Sequence, residues 1–489
     1  MKLLRWAGLA LLILLGLAGC TLPYTQPATT APTDMPTAGE AAAPTPTRLP
    51  APTPSLSAPE THTPTEYRLV ATLDFAAHYL AVSQRISYTN NTAEALEQLP
   101  LVVPIADELL TLKSVDFDRG MEWDYSGNQH GGLLELVLVR PLMPGDLLQI
   151  DIVFSIAVPE RPALLGWSTR QMTLIDWYPF VPPYDTERGW LINEPTQQGE
   201  YLVYESANFE VSLYTVNAPS LLQIAAPAPA EQSDGAYHYS LNTARRFVWA
   251  ASGHYQSETV LAGQERIPVT IYYFEEEEAA AQAALRTAAA SLEIYEGLFG
   301  EYPYKSLAIV ECIFPDGMES DGIFFLDMSY FRHYDGTPRA LLTMLSAHEV
   351  AHNWFFGAVG NDAGNEPWLD EALATYAELL YYEQQHPLDL EWWWEFRIQQ
   401  WEPGGAVDST AYELPGFRPY VNAVYLRGAL FLHAVRQQIG DQAFYTFLKD
   451  YYAAYRGGIA SGDDFLALLQ QSSGQDLSAL ISEYFNRGD

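Results

Sequence analysis

The stretch His348-Glu-Val-Ala-His-Asn-Trp354, followed by Trp368-Leu-Asp-Glu-Ala-Leu-Ala-Thr-Tyr376, organises the chain. His348 and His352 are four residues apart, so a helix places both imidazoles on one face, one turn from each other, where they can share a Zn²⁺ ion. Glu349 lies beside them, as a base for water would. A catalytic zinc takes three protein ligands and keeps one position open. Glu371 is the candidate third ligand. Eighteen residues separate it from His352, enough for a turn and a second helix that returns a carboxylate to the first.

The chain has 489 residues, which suggests two or three domains, and 48% of them are apolar, enough for a sizeable core. Asp and Glu number 61 against 25 Lys and Arg, a formal charge of −36. Such a surface repels phosphate backbones and argues against a nucleic-acid partner. The charge otherwise reads as solubility.

Residues 1–19 read as a secretory signal, with Lys2 and Arg5 before the apolar run Leu9 to Leu17. It ends in Leu17-Ala18-Gly19-Cys20, which resembles a bacterial lipobox. That resemblance implies cleavage before Cys20, acylation of its thiol, and an exported protein held on a membrane by a lipid anchor. Residues 20–65 repeat Pro, Thr and Ala, as in Ala43-Pro-Thr-Pro-Thr47, and lack the apolar residues of a core. They are expected to form an extended stalk. The other cysteine, Cys312, sits in an apolar run and reads as a small core residue.

From residue 66 to about 258 the pattern is one of short alternating strands, among them Tyr67–Leu73, Leu134–Val139 and Leu147–Phe154. Asn90-Asn91, Pro144-Gly145 and Ser233-Asp-Gly235 mark turns between them. An antiparallel sandwich or saddle is expected, with Trp177 and Tyr178 in its core. Residues 259–489 turn helical. Glu275 to Glu278 open an Ala-rich helix to about Leu298, their charge suiting its first turn. Leu307–Phe314 and Ile323–Leu326 read as strands that enclose Gly317-Met-Glu319 on an edge facing a cleft. Thr337-Pro338 looks like the start of the helix carrying His348 and His352, which should end near Gly357. Pro367 opens the next helix, and Tyr425 to about Gln438 forms another.

These residues together resemble the membrane alanyl aminopeptidase family of gluzincin zinc peptidases. The likeness rests on His348-Glu-x-x-His352-x-Trp354-x-x-Gly357, on Glu371 within Trp368-Leu-x-Glu371, and on Tyr425-x-x-Gly428-Ala429. Gly317-Met318-Glu319 is similar to the family's Gly-x-Met-Glu-Asn motif, and Gly300-Glu-Tyr-Pro-Tyr304 to the segment before it. The resemblance implies an α+β chain: an amino-terminal β saddle followed by a mainly α, thermolysin-like domain. It implies Zn²⁺ on His348, His352 and Glu371, Glu349 activating water, and Tyr425 donating to the oxyanion. It also implies that Glu319, with Gly317 and Met318, binds the free amine of a peptide substrate. The chain departs from the family pattern at Asp316, Ser320, Asp370 and Ala372, and a second amine-binding acid from the β region is not evident. Alternatives are a thermolysin-like endopeptidase, should Glu319 not face the cleft, and a catalytically inactive surface binding module.

Overall fold

Alternation decides the first architecture. Thr65–Asp74 (β1) and Tyr79–Thr89 (β2) each bury every second side chain, as strands with one face on a core must. They lie at the centre of a seven-stranded sheet in this computed structural model, which describes residues 62–486. The signal, Cys20 and nearly all of the expected stalk lie outside the described residues. Reading across the sheet, the order is Glu231–Ser233, Ala236–Ala244, Ala207–Val216 (β3), β1, β2, Leu147–Ala157 and Leu110–Phe117. The expected antiparallel pairing holds with one exception: β1 and β3 run parallel, from Thr65 opposite Ala207 to Asp74 opposite Val216. Neighbours joined by a hairpin must be antiparallel, but β1 and β3 are far apart in sequence and carry no such constraint. The Asp234-Gly235 turn has positive φ at both residues and joins Ser233 to its neighbour Ala236 as a two-residue hairpin. Trp177 and Tyr178 are buried, and the Trp177 indole donates to the Phe247 carbonyl (2.8 Å).

A second sheet carries the site. Its order is Tyr255–Ala262 (β4), Ile267–Phe274 (β5), Leu307–Cys312 (β6), Ile323–Asp327 (β8) and Gly317–Ser320 (β7). Every residue of β6 is buried because both faces are covered. Leu307 and Ile309 join the main core, while Ala308, Val310 and Cys312 join a smaller one with Val248 and Ala250. β7 is the edge strand, paired antiparallel to β8, as the sequence suggested. The change from one region to the next falls just before β4, whose first residue, Tyr255, already pairs with Phe274.

Helix Glu278–Phe299 (α1) follows a single turn made of Glu275–Glu277, and Gly300 ends it with φ +125°. Leu341–Ala351 (α2) and Trp368–Gln385 (α3) pack against it, and Gly428–Ile439 (α4) packs against α3. α2 begins at Leu341 and not at Thr337-Pro338. The Thr337 hydroxyl instead accepts from Arg339 N (3.2 Å) and donates to Asp335 (2.8 Å), a local turn that competes with capping. α2 also ends sooner than Gly357: His352 is its carboxy-terminal cap. Residues 421–427 form a π-helical turn ahead of α4. A single apolar core runs from Tyr67 to Phe485 through both regions.

Candidate active site

α2 and α3 meet so that three ligand atoms converge. His348 Nε2 lies 3.1 Å from His352 Nε2 and 3.2 Å from Glu371 Oε2, and the third side of the triangle is 3.6 Å. Zinc bonds of 2.0–2.1 Å arranged tetrahedrally set donors about 3.3 Å apart, so this triangle has the size the ion requires. The outer nitrogens are engaged elsewhere. His348 Nδ1 is 2.9 Å from Glu378 Oε1, and His352 Nδ1 is 3.1 Å from the Phe355 carbonyl. Both Nε2 atoms are thereby left facing inward, toward Glu371. The donor set and its surroundings fit zinc.

Glu378 is held in turn. It accepts from Arg397 Nε (2.9 Å), Arg397 Nη2 (2.8 Å) and the Trp393 indole (3.1 Å). The Trp392–Trp394 run is therefore packing with a purpose: its central member orients the carboxylate behind His348. Burial opposes charge on His348, but hydrogen bonds to Glu371 and Glu378 outweigh it and raise the pKa to about 10. Burial brings His352 down to about 4.

Glu349 follows His348 on α2 and is also buried. Burial, with Glu319, Glu371 and Asp316 near it, pushes its pKa well above the usual carboxylate range against the pull of His348. Tyr425 stacks parallel to His348 with ring centroids 6.3 Å apart, and its hydroxyl donates to Glu371 Oε1 (2.5 Å). Burial and Glu371 hold the phenol well above its ordinary pKa, so it stays a donor.

β7 forms the rim. Gly317 lies against Glu349, and a Cβ there would overlap Glu349 Oε1. Glu319 Oε, Glu349 Oε and His352 N lie within 4.8 Å of one another. Both Gly317 and Glu319 line a cavity of about 240 Å³ with His348, Glu349, His352, Glu371 and Tyr425. Met318 is not among the residues lining this cavity; its sulfur lies 3.2 Å from Arg246 Nη2, the nitrogen that is also 3.7 Å from Glu319 Oε1. Asp316, where the family pattern has glycine, has φ +75°. Asp is among the few residues with a side chain that adopt this conformation routinely. Its carboxylate accepts from the Tyr330 hydroxyl (2.9 Å). Cys20 lies outside the described residues.

Two residues that sequence reasoning missed, Arg246 and Glu200, stand behind Glu319. Arg246 is fully buried and reaches Glu200 Oε1 through both terminal nitrogens (3.1 Å each), Glu319 Oε1 at 3.7 Å and Asp176 Oδ1 at 3.7 Å. One guanidinium thus faces three carboxylates. Glu200 Oε2 is buried with no hydrogen-bond partner, and burial pushes the Glu200 pKa well up. Adjacent arginines, Arg245-Arg246, directly before the apolar run Phe247–Ala251 of a strongly acidic chain were the available signal for this cluster. Glu200 gave none.

Residues 283–484 match the family model described as "Peptidase family M1 domain". Human "Aminopeptidase O" is 26% identical over 227 residues, covering 39% of this chain and 27% of the relative. "Probable aminopeptidase 2" of Sulfurisphaera tokodaii is 28% identical over 225 residues, covering 42% and 28%. The chain thus spans about a quarter to a third of the length of the curated relatives it matches. Among solved structures, the M1 zinc metallopeptidase from Deinococcus radiodurans superposes with a TM-score of 0.60 at 19% identity, covering 88% of this chain and 96% of that one. A mutant of that protein, described as bound to a Tyr-Ser-Ala substrate, gives 0.59 at 20% identity, covering 87% and 95%. That likeness concerns the fold. The converging residues on α2 and α3 fall inside residues 283–484, the segment that matches the peptidase family M1 domain.

Proposed function

We propose that this chain is a zinc-dependent aminopeptidase that releases single residues from peptides with a free amino terminus. The observation that carries this reading is the position of Glu319, whose carboxylate lies within 4.8 Å of both His352 and Glu349. In an amino acid the amine nitrogen is only about 2.5 Å from the carbonyl carbon. A carboxylate this close to the reacting centre therefore meets the amine of the first residue and leaves no room for a residue before it. The second support is the cluster of Asp176, Glu200 and Glu319 around Arg246 alone, which an ammonium group would bring nearer to neutrality. Glu200 supplies the second amine-binding acid. A blocked terminus would leave these buried acids unpaired.

Zinc held by His348, His352 and Glu371 would acidify water and polarise a peptide carbonyl. Glu349 takes the proton of the attacking water and delivers it to the leaving amine; its raised pKa suits the second task. The Tyr425 hydroxyl donates to the carbonyl oxygen as negative charge develops there, a contribution of about 3 kcal/mol in comparable oxyanion sites. Arg397 and Trp393 hold Glu378, which holds His348.

The test offers peptides with free and with acetylated amino termini to the full chain, with Glu349→Gln and Glu319→Ala beside it. Stepwise release from free termini only, lost in Glu349→Gln and on zinc chelation, supports the reading. Internal cleavage indifferent to acetylation would replace it with an endopeptidase. Export and a lipid anchor at Cys20 belong to the same reading and rest on residues 1–20 alone. Fractionation checks them: Cys20→Ala protein should leave the membrane fraction, and its retention there would remove the anchor from the proposal.

A further inference from the structure

The cavity over the metal set is electrically polarised, and its cationic end has a binding group without a carboxylate partner. This inference rests on the aminopeptidase reading and extends it to substrate class.

The polarity follows the axis from His352 to His348. On the His352 side stand the acids: Glu319 close to His352, then Glu200 beyond it on Arg246. On the His348 side stand the cations. Arg397 is tied through Glu378 to His348 Nδ1, and Arg418 lies next to it. Arg397 and Arg418 are the two arginines among the residues lining the cavity, which include no lysine. A peptide bound with its amine at Glu319 and its first carbonyl at the metal ligands must run on toward this end.

The two arginines differ in one respect. Arg397 is engaged, with two nitrogens on the Glu378 carboxylate. Arg418 has no carboxylate within 4.0 Å among the described residues. Its guanidinium instead stacks on the Trp401 ring, 3.9 Å from the centroid. Stacking fixes the plane of the fork while leaving its edge open, which is how an arginine is prepared for bidentate binding of a carboxylate. In a chain with 61 acidic residues and 25 Lys and Arg, an open guanidinium on the wall of the active-site cavity is a poor candidate for chance surface charge. Burial and then the neighbouring Arg397 lower its pKa, and no acid acts in the opposite sense.

Distance sets the substrate length. Arg418 precedes Tyr425 by seven residues on continuous helical turns, at most about 10 Å of helix at the α-helical 1.5 Å per residue. An extended peptide advances about 3.3 Å per residue. An arginine side chain reaching back toward Tyr425 leaves space for one or two residues after the scissile bond. Phe417, half exposed at the same rim, offers an apolar surface to their side chains.

We propose that Arg418 binds a carboxylate on the leaving side of the scissile bond, so that dipeptides and tripeptides with a free carboxy terminus are the preferred substrates. The same chemistry is available from an Asp or Glu side chain at that position, and the experiment separates the two sources.

The kcat/KM values of the full zinc-loaded chain are measured for Ala-Phe against Ala-Phe amide, and for Ala-Glu amide against Ala-Gln amide. The free dipeptide should exceed its amide on the order of tenfold, the worth of one favourable ion pair. Arg418→Ala should bring that ratio close to one, mostly through KM, and Arg418→Lys should restore part of it. Equal rates on Ala-Phe and its amide, or a ratio that survives Arg418→Ala, would overturn the proposal. Discrimination confined to the Glu and Gln pair would assign the site to an acidic side chain and overturn the preference for short peptides. Absence of all hydrolysis would count against the aminopeptidase reading and not against this one. Calorimetric binding of Ala-Phe and its amide to Glu349→Gln protein then decides the role of Arg418, with the same ratio expected.

Discussion

Gly317 shows how closely a single residue is tied to the chemistry. It stands on the edge strand where a methyl group would overlap Glu349 Oε1, so any side chain displaces the base. Gly317→Ala is expected to lower kcat on the order of 100-fold, because small misplacements of a catalytic group cost that much. KM and the melting temperature should change little. Steady-state kinetics with a thermal melt checks this, and wild-type kcat would mean that Glu349 has room to move. The glycine, the base and the three ligands were all legible as residues, because their spacing is read within one helix turn or one motif. Asp316 was legible only as a departure; its φ of +75° explains why glycine is usual there and why Asp can replace it. Arg246 and Glu200 were not legible, since each matters only through partners distant in sequence. Arg246 reaches Glu200 across 46 residues and Glu319 across 73.

At the scale of elements, the helices that carry ligands begin and end by local competition. Periodicity predicted α2 and α3 correctly as helices, but the Thr337 turn delays the first to Leu341 and leaves His352 as its cap. The cap position keeps the helical φ of −61°, so His352 still faces the same way as His348. The π turn over residues 421–427 was invisible to a 3.6-residue period, yet it sets the direction of Tyr425. Where α4 begins, Gly428 meets Ala372, the residue after the third ligand, and a Cβ on Gly428 would overlap the Ala372 Cβ. Ala372, read from sequence as a departure from the family pattern, is therefore accommodated by the glycine across the helix contact. Gly428→Ala should cost about 1–3 kcal/mol from overpacking, offset in part by helix propensity. It should also lower bound zinc per chain by moving α3 against α2. Denaturant unfolding with metal analysis tests both, and unchanged values would show that the helices can part freely.

Across the whole molecule, the buried side chain of Arg245 joins the β-rich and helical regions alongside the continuous core. Arg245 donates to the carbonyls of Tyr204 (2.9 Å), Phe356 (2.5 Å), Ala358 (3.3 Å) and Gly458 (2.5 Å), while its backbone nitrogen donates to Asp321 (2.9 Å). Its removal takes this donor from four carbonyls in three distant segments, of which Ala358 and Gly458 keep a backbone donor each, from Gly457 and Gly360. Arg245→Ala should therefore cost about 3–5 kcal/mol, the range for breaking a buried charged network. The apparent melting temperature should fall while zinc stoichiometry in the folded protein stays at one per chain. A change within about 0.5 kcal/mol would show that Arg245 contributes little to joining the regions. Some strands of both sheets were foreseen, β1 and β6 among them, but β2, β3 and β4 were not named; the parallel pairing of β1 with β3 has no local signature, because pairing between distant strands is decided by which faces the rest of the chain buries.

The sequence by itself determined the α+β class, the two histidines on one helix face, Glu349 between them, Glu371 on the next helix and the edge strand with Glu319. Each of these depends on spacing along the chain, where covalent geometry and helix or strand period leave few alternatives. Tertiary structure alone decided that Glu200 and Arg246 stand behind Glu319, that Trp393 and Arg397 hold Glu378 behind His348, and that Arg418 opens onto the far end of the cavity. A charged side chain acquires its role from the charges packed around it, and those come from segments whose proximity only the folded chain sets.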